Sequence, residues 1–246
     1  MFTLVGNVLN ETQKLFLKKK TIVSLLIIAL ISFLPAFFIT SIKQKLIFIA
    51  LDSINYPSII LSILTNLLLP LFIFMVSAEL FSGEVADGTM KLVLIRPISR
   101  LKIFISKNIA IGFYILSCLV IALFVSIISS MLLKLPIDHI LNVISTYLMD
   151  IIPAFVFMIF AILVVQFFKS SSTALISGIL VYIGIQILTL FISGLNNILF
   201  TNYLNWSHEW LSSGTLLFNL NHFFMLLGYM IVFFIIGFYY FDKQEY

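Results

Sequence analysis

Long apolar runs broken by short polar stretches set the pattern of this chain. Six runs of about 20 or more mostly apolar residues fall at roughly Thr21–Ile42, Ser58–Leu80, Ser106–Leu133, Tyr147–Phe168, Thr173–Ser193 and Asn221–Phe241. At a rise of about 1.5 Å per residue, each is long enough to cross a hydrocarbon core of about 30 Å. No alternating ten-residue pattern of barrel strands runs through them. Backbone groups in lipid have no water to bond, so the runs predict helices. The expected fold is an all-α integral membrane protein with six transmembrane helices.

The first twenty residues, MFTLVGNVLNETQKLFLKKK, have a different pattern. Wound as a helix, Val5, Val8, Leu9, Thr12, Leu15 and Phe16 share one face, and Asn7, Asn10, Glu11, Lys14 and Lys18 take the other. This predicts an amphipathic helix over residues 1–20 lying in the membrane surface, with its basic residues toward anionic headgroups. The charge falls directly before the first span and no small-residue cleavage site follows, so the segment does not read as a signal peptide. Residues 21–246 then read as a single six-span domain.

Composition agrees with lipid as the main solvent. Hydrophobic residues make up 62% of the 246-residue chain and charged residues 10%, with a mean hydropathy of +1.19. A soluble domain carries about 25% charged residues. The single Cys118 excludes an intrachain disulfide framework and a cysteine metal cluster.

The distribution of charge says more than its sum. If both termini are placed in the cytoplasm, the inner segments hold eleven basic residues: Lys14, Lys18, Lys19, Lys20, Lys91, Arg96, Arg100, Lys102, Lys107, Lys169 and Lys243. The outer loops hold three: Lys43, Lys45 and Lys134. The positive-inside rule therefore puts both termini in the cytoplasm. Lys14, Lys18, Lys19, Lys20, Lys102 and Lys107 are expected at the membrane surface. No basic stripe suggests a nucleic-acid partner.

Enzyme signatures are absent. Gly83-Glu-Val-Ala-Asp-Gly88 has phosphate-loop spacing, but Thr89-Met90 stands where Lys-Ser/Thr is required, and an apolar span precedes it instead of a strand. There is no H-E-x-x-H and no G-x-S-x-G. His139, His208 and His222 are isolated and read as polar interface residues. Asp150 and Glu79 read as lying near span ends, which leaves no charge at a predicted midplane and argues against an ion-coupled carrier. No catalytic role and no bound cofactor or metal is expected of the chain itself.

One dense island of charge and turn residues interrupts the pattern: FSGEVADGTMKLVLIRPISR, Phe81–Arg100. Ser82-Gly83-Glu84 is expected to end the second span. Asp87-Gly88-Thr89 offers a turn with Thr89 as an N-cap. Met90, Leu92, Val93, Leu94 and Ile95 form a short apolar run that Arg96-Pro97 terminates, and Ser99 can cap the next helix. The pattern predicts a short amphipathic helix across the cytoplasmic face, within a loop over residues 81–105.

Glu84, Gly88, Thr89, Arg96, Pro97, Ser99, Arg100 and Lys107 make this island resemble the signature of ABC-2 type transporter permeases. Asp87 and its two predecessors are less charged than the stretch often found there. The resemblance implies a coupling helix docked on a separate ATP-hydrolysing subunit. Arg96 and Arg100 would make charge-assisted bonds, and Met90, Leu92 and Ile95 would fill an apolar pocket. It also implies two ATPase copies holding ATP and Mg, a second identical or related permease, and a bacterial cytoplasmic membrane. The substrate would leave the cell, with an antimicrobial peptide or drug-like amphipathic molecule as the favoured class.

Asn66 and Pro70 are candidate pathway residues, because Pro70 frees the carbonyl of Asn66 inside the second span. Pro35 similarly interrupts the first. Small residues at four-residue spacing, Ala122-Ser126-Ser130 and Ser170-Ala174-Gly178, predict close helix packing, within the chain or between two permease subunits, with the first favoured. The loop over 194–220, rich in Asn, Ser and aromatics, either dips back into the protein or lies on the outer surface, and Tyr203, Trp206 and Trp210 suit the interface belt. Two other classes compete: a stand-alone carrier or channel, and a non-transporting immunity or sensor subunit.

Overall fold

The structure, a computed structural model, describes residues 4–45, 55–94, 98–137, 139–207 and 216–244. Among the described residues, six helices are long and apolar enough to cross a membrane: Lys19–Thr40, Tyr56–Ala86, Arg100–Leu133, Ile140–Val165, Ser171–Phe191 and Asn219–Lys243. They are numbered here as spans one to six. No strand occurs among the described residues. The chain is an all-α, six-span membrane protein, as its apolar pattern predicts.

Spans two, three and four form the centre of the bundle. Spans one, five and six pack around them and leave most of their apolar surface open. Tyrosines cross-brace the spans through otherwise costly polar groups. Tyr56 donates to the Ser32 carbonyl (2.7 Å), Tyr147 donates to the Pro57 carbonyl (3.1 Å), and the Ser24 and Tyr114 hydroxyls lie 2.7 Å apart. The phenylalanines interlock inside. Phe104 meets Phe81, Phe234, Phe238 and Phe241 near the ends of the bundle where both termini lie.

Three span limits differ from the expectation, each for a local reason. The second span does not turn at Ser82-Gly83-Glu84. Ser82 donates its hydroxyl to the Val165 carbonyl (2.7 Å) and Glu84 finds two lysines, so both polar residues stay in helix. The turn comes at Asp87-Gly88, where Gly88 takes φ +67°, the left-handed region that glycine enters without strain. The third span starts at Arg100, earlier than Ser106. The fourth starts at Ile140, because Ser145 and Thr146 return their hydroxyls to the Asn142 and Val143 carbonyls (both 2.7 Å) and need no water.

The N-terminal helix, Leu4–Phe16, is present. Its apolar residues Val5 and Leu9 are exposed, whereas Glu11 and Leu15 are buried against the third span. Glu11 points into the protein because it has a buried lysine to meet there.

Both small-residue stripes pack inside the chain. Ala122, Ser126 and Ser130 are fully buried, as is Ala174, while Ser170 caps span five by accepting from the Thr173 amide (3.3 Å). Gly178 lets span five touch Phe74 of span two. A Cβ at this position would lie 2.6 Å from Phe74 Cε1 and 2.9 Å from Cγ, and Phe74 is wedged edge-on against Phe157. Gly178→Ala should therefore cost about 1–3 kcal/mol, the usual range for overpacking, read as a lowered thermal unfolding midpoint in detergent.

After span five the described part of the loop, up to residue 207, folds in against the bundle. Phe200, buried in a short 3-10 turn (Phe200–Tyr203), packs tilted or edge-on against Phe160 (5.0 Å between centroids), Phe233 (5.3 Å) and Tyr229 (5.5 Å), all within spans four and six. Tyr229 donates to the Ile198 carbonyl (3.0 Å). Tyr203 and Trp206 are buried in protein; Trp210 lies outside the described residues.

Candidate functional site

At the end of the bundle shared by both termini, a π-helical turn at Glu79–Gly83 sets the direction of two glutamates. Glu84 is 2% exposed and accepts from Lys14 Nζ at 2.6 Å through Oε1, while its Oε2 lies 2.8 Å from Lys107 Nζ. Lys107 is itself fully buried and reaches Glu11 Oε2 at 2.9 Å, with the face of Phe81 5.9 Å from its ammonium. The sequence Lys14–Glu84–Lys107–Glu11 is thus a closed set of two cations and two anions. It ties the N-terminal helix, the end of span two and the start of span three into one body. Such buried groups are tolerated because every charge has a partner at bonding distance.

Glu79 forms a second, more exposed cluster with Lys18 (2.9 Å) and Lys20. Beyond the charge network, Ala86, Asp87, Gly88 and Lys91 are exposed, and a short helix, Thr89–Leu94, follows the turn. The residues at the tip of the island therefore face outward from a base that is rigidly held.

A second polar region lies deeper. Span two contains a π-helical turn at Leu64–Leu68, directly before Pro70. Pro70 has no N–H for the Asn66 carbonyl, and Tyr182 of span five supplies the missing donor at 2.7 Å. Gln186 Nε2 in turn donates to the Tyr182 hydroxyl (3.2 Å), and Asn66 Nδ2 donates to the Ser62 carbonyl (3.0 Å). Tyr182→Phe should leave that carbonyl unpaired at a cost of about 0.5–2 kcal/mol, within the range for hydrogen bonds between spans, measurable as a drop in thermal stability that Tyr182→Gln partly restores.

The in-folded segment closes this region. Asn205 Nδ2 donates to Ser62 Oγ (2.9 Å), and Ser207 donates its backbone N–H and hydroxyl to the two oxygens of Asp150 at 2.8 and 3.0 Å. A cavity of about 380 Å³ opens beside Asn66, Gln186, Asn196, Asn197, Thr201 and Asn202.

The family model described as "Protein of unknown function (DUF2705)" matches residues 51–246, most of the chain. The chain belongs to the DUF2705 family. It is also similar to an uncharacterized membrane protein, YdbK, of Bacillus subtilis (strain 168), at 28% identity over 254 residues, which covers 95% of this chain and 99% of that protein.

In this DUF2705 chain the predicted island residues divide into three groups. Glu84, Met90 and Arg100 are committed inside the protein. Met90 is 1% exposed in the core, and Arg100 donates to the carbonyls of Asp242 and Gln244 at the end of span six, a usual place for a cation. Asp87 and Gly88 face outward. Ile95, Arg96 and Pro97, with the side chain of Leu92, lie outside the described residues.

Neither expected cap forms through its side chain. Thr89 sits inside the short helix with its hydroxyl 3.4 Å from the Glu84 carbonyl, and Ser99 starts span three with its carbonyl, which accepts from Lys102 and Ile103. Of the basic residues expected at the membrane surface, Lys19 and Lys102 are exposed. Lys14, Lys18 and Lys20 pair with glutamates, and Lys107 is buried. Asp150 is not at a span end but ten residues into span four, fully buried. Pro70 is buried and Asn66 exposed. His139 is exposed, His222 packs on Tyr203, and His208 lies outside the described residues.

Glu11, Glu79, Asp150, Tyr182, Gln186 and Thr201 were not singled out as site residues by the sequence pattern. One signal was available: the chain has only ten acidic residues, so an acid within or beside an apolar run needs a partner.

Proposed function

We propose that this DUF2705 protein is the membrane-embedded subunit of an exporter driven by ATP hydrolysis in separate cytoplasmic subunits. The observation that carries the reading is Glu84, buried and bonded at once to the N-terminal helix and to span three. The resemblance of the island to ABC-2 permeases supports it. A push on the exposed tip at Asp87–Gly88 would move one charge-linked body comprising the N-terminal helix and the near ends of spans two and three. The π-helical turn before Pro70 gives span two a place to bend in response.

In this reading both termini and the island are cytoplasmic in a bacterial inner membrane. Two ATPase copies hold ATP and Mg, and a second permease, identical or related, completes the pathway beside Asn66 and Pro70. The chain itself does no chemistry. The substrate is an amphipathic molecule such as an antimicrobial peptide or a drug-like compound.

One observation favours a stand-alone carrier: Asp150 is a buried carboxyl inside span four, where ion-coupled proteins keep such groups. ATP hydrolysis that co-elutes with the gently extracted, tagged chain separates the two readings. An exporter subunit brings vanadate-sensitive hydrolysis that the double variant Asp87→Lys, Lys91→Glu loses. A carrier brings none, and the exporter reading falls.

A further inference from the structure

The cavity beside the in-folded segment lies at membrane depth, yet it is lined by amides and hydroxyls. Asn66 is ten residues into span two, about 15 Å from its start. It is bonded to Tyr182, which lies eleven residues into span five from the other side of the bundle. Asn66, Asn196 and Asn197 are exposed there. Amides facing lipid are costly, so this surface faces water or a ligand.

Thr201 gives an independent sign of a ligand. It lines the cavity, is 0% exposed, and its hydroxyl has no hydrogen-bond partner among the described residues. Buried hydroxyls are nearly always satisfied, and an orphan costs about 1–3 kcal/mol.

The chemistry of the lining defines what fits. Among the described residues that line the cavity, none is charged. A charged ligand would lose hydration there without gaining a counter-charge. The amide nitrogens of Asn66, Gln186 and Asn202 are engaged with Ser62, Tyr182 and Asn196, so the side-chain oxygens of these three, the amides of Asn196 and Asn197 and the Thr201 hydroxyl are what the lining offers a ligand. About 380 Å³ is within the usual range for a small-molecule site. Beside it, span five presents an exposed apolar surface at Ile183 and Ile187.

We propose that this cavity binds the uncharged, amide- or hydroxyl-bearing head of an amphipathic molecule, with its apolar part along span five. This names the substrate class for the exporter reading and rests on that reading only for the movement that follows binding.

The test uses the full chain in phosphatidylcholine nanodiscs and four probes with one twelve-carbon tail: N-dodecanoylglycinamide, dodecyl maltoside, N-dodecanoylglycine and dodecyltrimethylammonium. Binding is read by tryptophan fluorescence, with the buried Trp206 near the site as reporter. The two neutral probes should bind at least about ten-fold tighter than the anion and the cation. The glycinamide and the maltoside then distinguish an amide from a hydroxyl source. Thr201→Val should weaken the tighter neutral probe about three- to ten-fold, as loss of one hydrogen bond requires. Thr201→Ser should not. Thr201→Val should also leave the empty protein at least as heat-stable as wild type, because its hydroxyl loses no partner.

Equal binding of all four probes would overturn the proposal, as would preference for a charged one. So would a Thr201→Val protein that loses stability together with binding. Neutral-probe binding with the expected Thr201 dependence, in a chain that recruits no ATPase, would keep this inference and end the exporter reading.

Discussion

Replacing Lys107 with Met is expected to destabilise the protein more than any other single change at the end of the bundle where both termini lie. The substitution leaves Glu11 and Glu84, both almost fully buried, without their shared cation. Lys14 remains for Glu84, but nothing among the described pairs remains for Glu11. Breaking a buried ion pair from one side costs about 3–5 kcal/mol, because an uncompensated charge stays in a low-dielectric site. The expected readout is loss of the monodisperse peak after mild heating in detergent, at a temperature well below that for wild type. Removing the acids as well, in Glu11→Gln, Glu84→Gln, Lys107→Met, should recover most of the loss, since no buried charge is then unpaired. A single Lys107→Met variant as stable as wild type would mean that these groups are not buried together.

The second large effect is expected at Asp150. Asp150→Leu removes both acceptors of Ser207. The hydroxyl can turn to Asn205 Oδ1, 3.4 Å away, but the backbone N–H is left buried and unpaired. The cost should be about 1–3 kcal/mol, accompanied by faster proteolysis of the in-folded segment. Asp150→Asn keeps one acceptor for the N–H and offers a donor to the hydroxyl, so it should stay close to wild type in both stability and transport. An ion-coupled carrier behaves differently: it would fold as Asp150→Asn but stop transporting. The pair of variants thus distinguishes a latch from an ion site.

The number and class of the spans were legible because lipid imposes one requirement on each of them, a run of apolar residues with internal backbone bonds. Facing and partnership were not legible in the same way. The N-terminal helix has the expected amphipathic pattern, yet Glu11 turns inward because it meets Lys107, 96 positions away in the chain. Local periodicity carries no information about such a partner.

The island was recognisable from its acid and turn residues. What the pattern did not reveal is that Glu84, Met90 and Arg100 serve the chain's own packing, while Asp87, Gly88 and Lys91 face outward. Pro70 marked the weak point of span two, but the donor that repairs it, Tyr182, sits on a helix whose sequence looks ordinary. Asp150 looked peripheral because Asn142, Ser145 and Thr146 resemble loop residues. Hydroxyls that bond to their own helix carry it into the span instead.

The central claim is that the tip of the island docks on an ATP-hydrolysing subunit. Cross-linking from that tip tests it most directly. Cys118, the only native cysteine, is buried, so a thiol introduced by Asp87→Cys can carry a cleavable photo-cross-linker, with Lys134→Cys at the other end of span three as the control. After irradiation in native membranes, mass spectrometry identifies what each position captures. The account predicts a nucleotide-hydrolysing subunit at position 87 and none at position 134. Capture of only lipid at position 87, or of the same proteins from both positions, would contradict it.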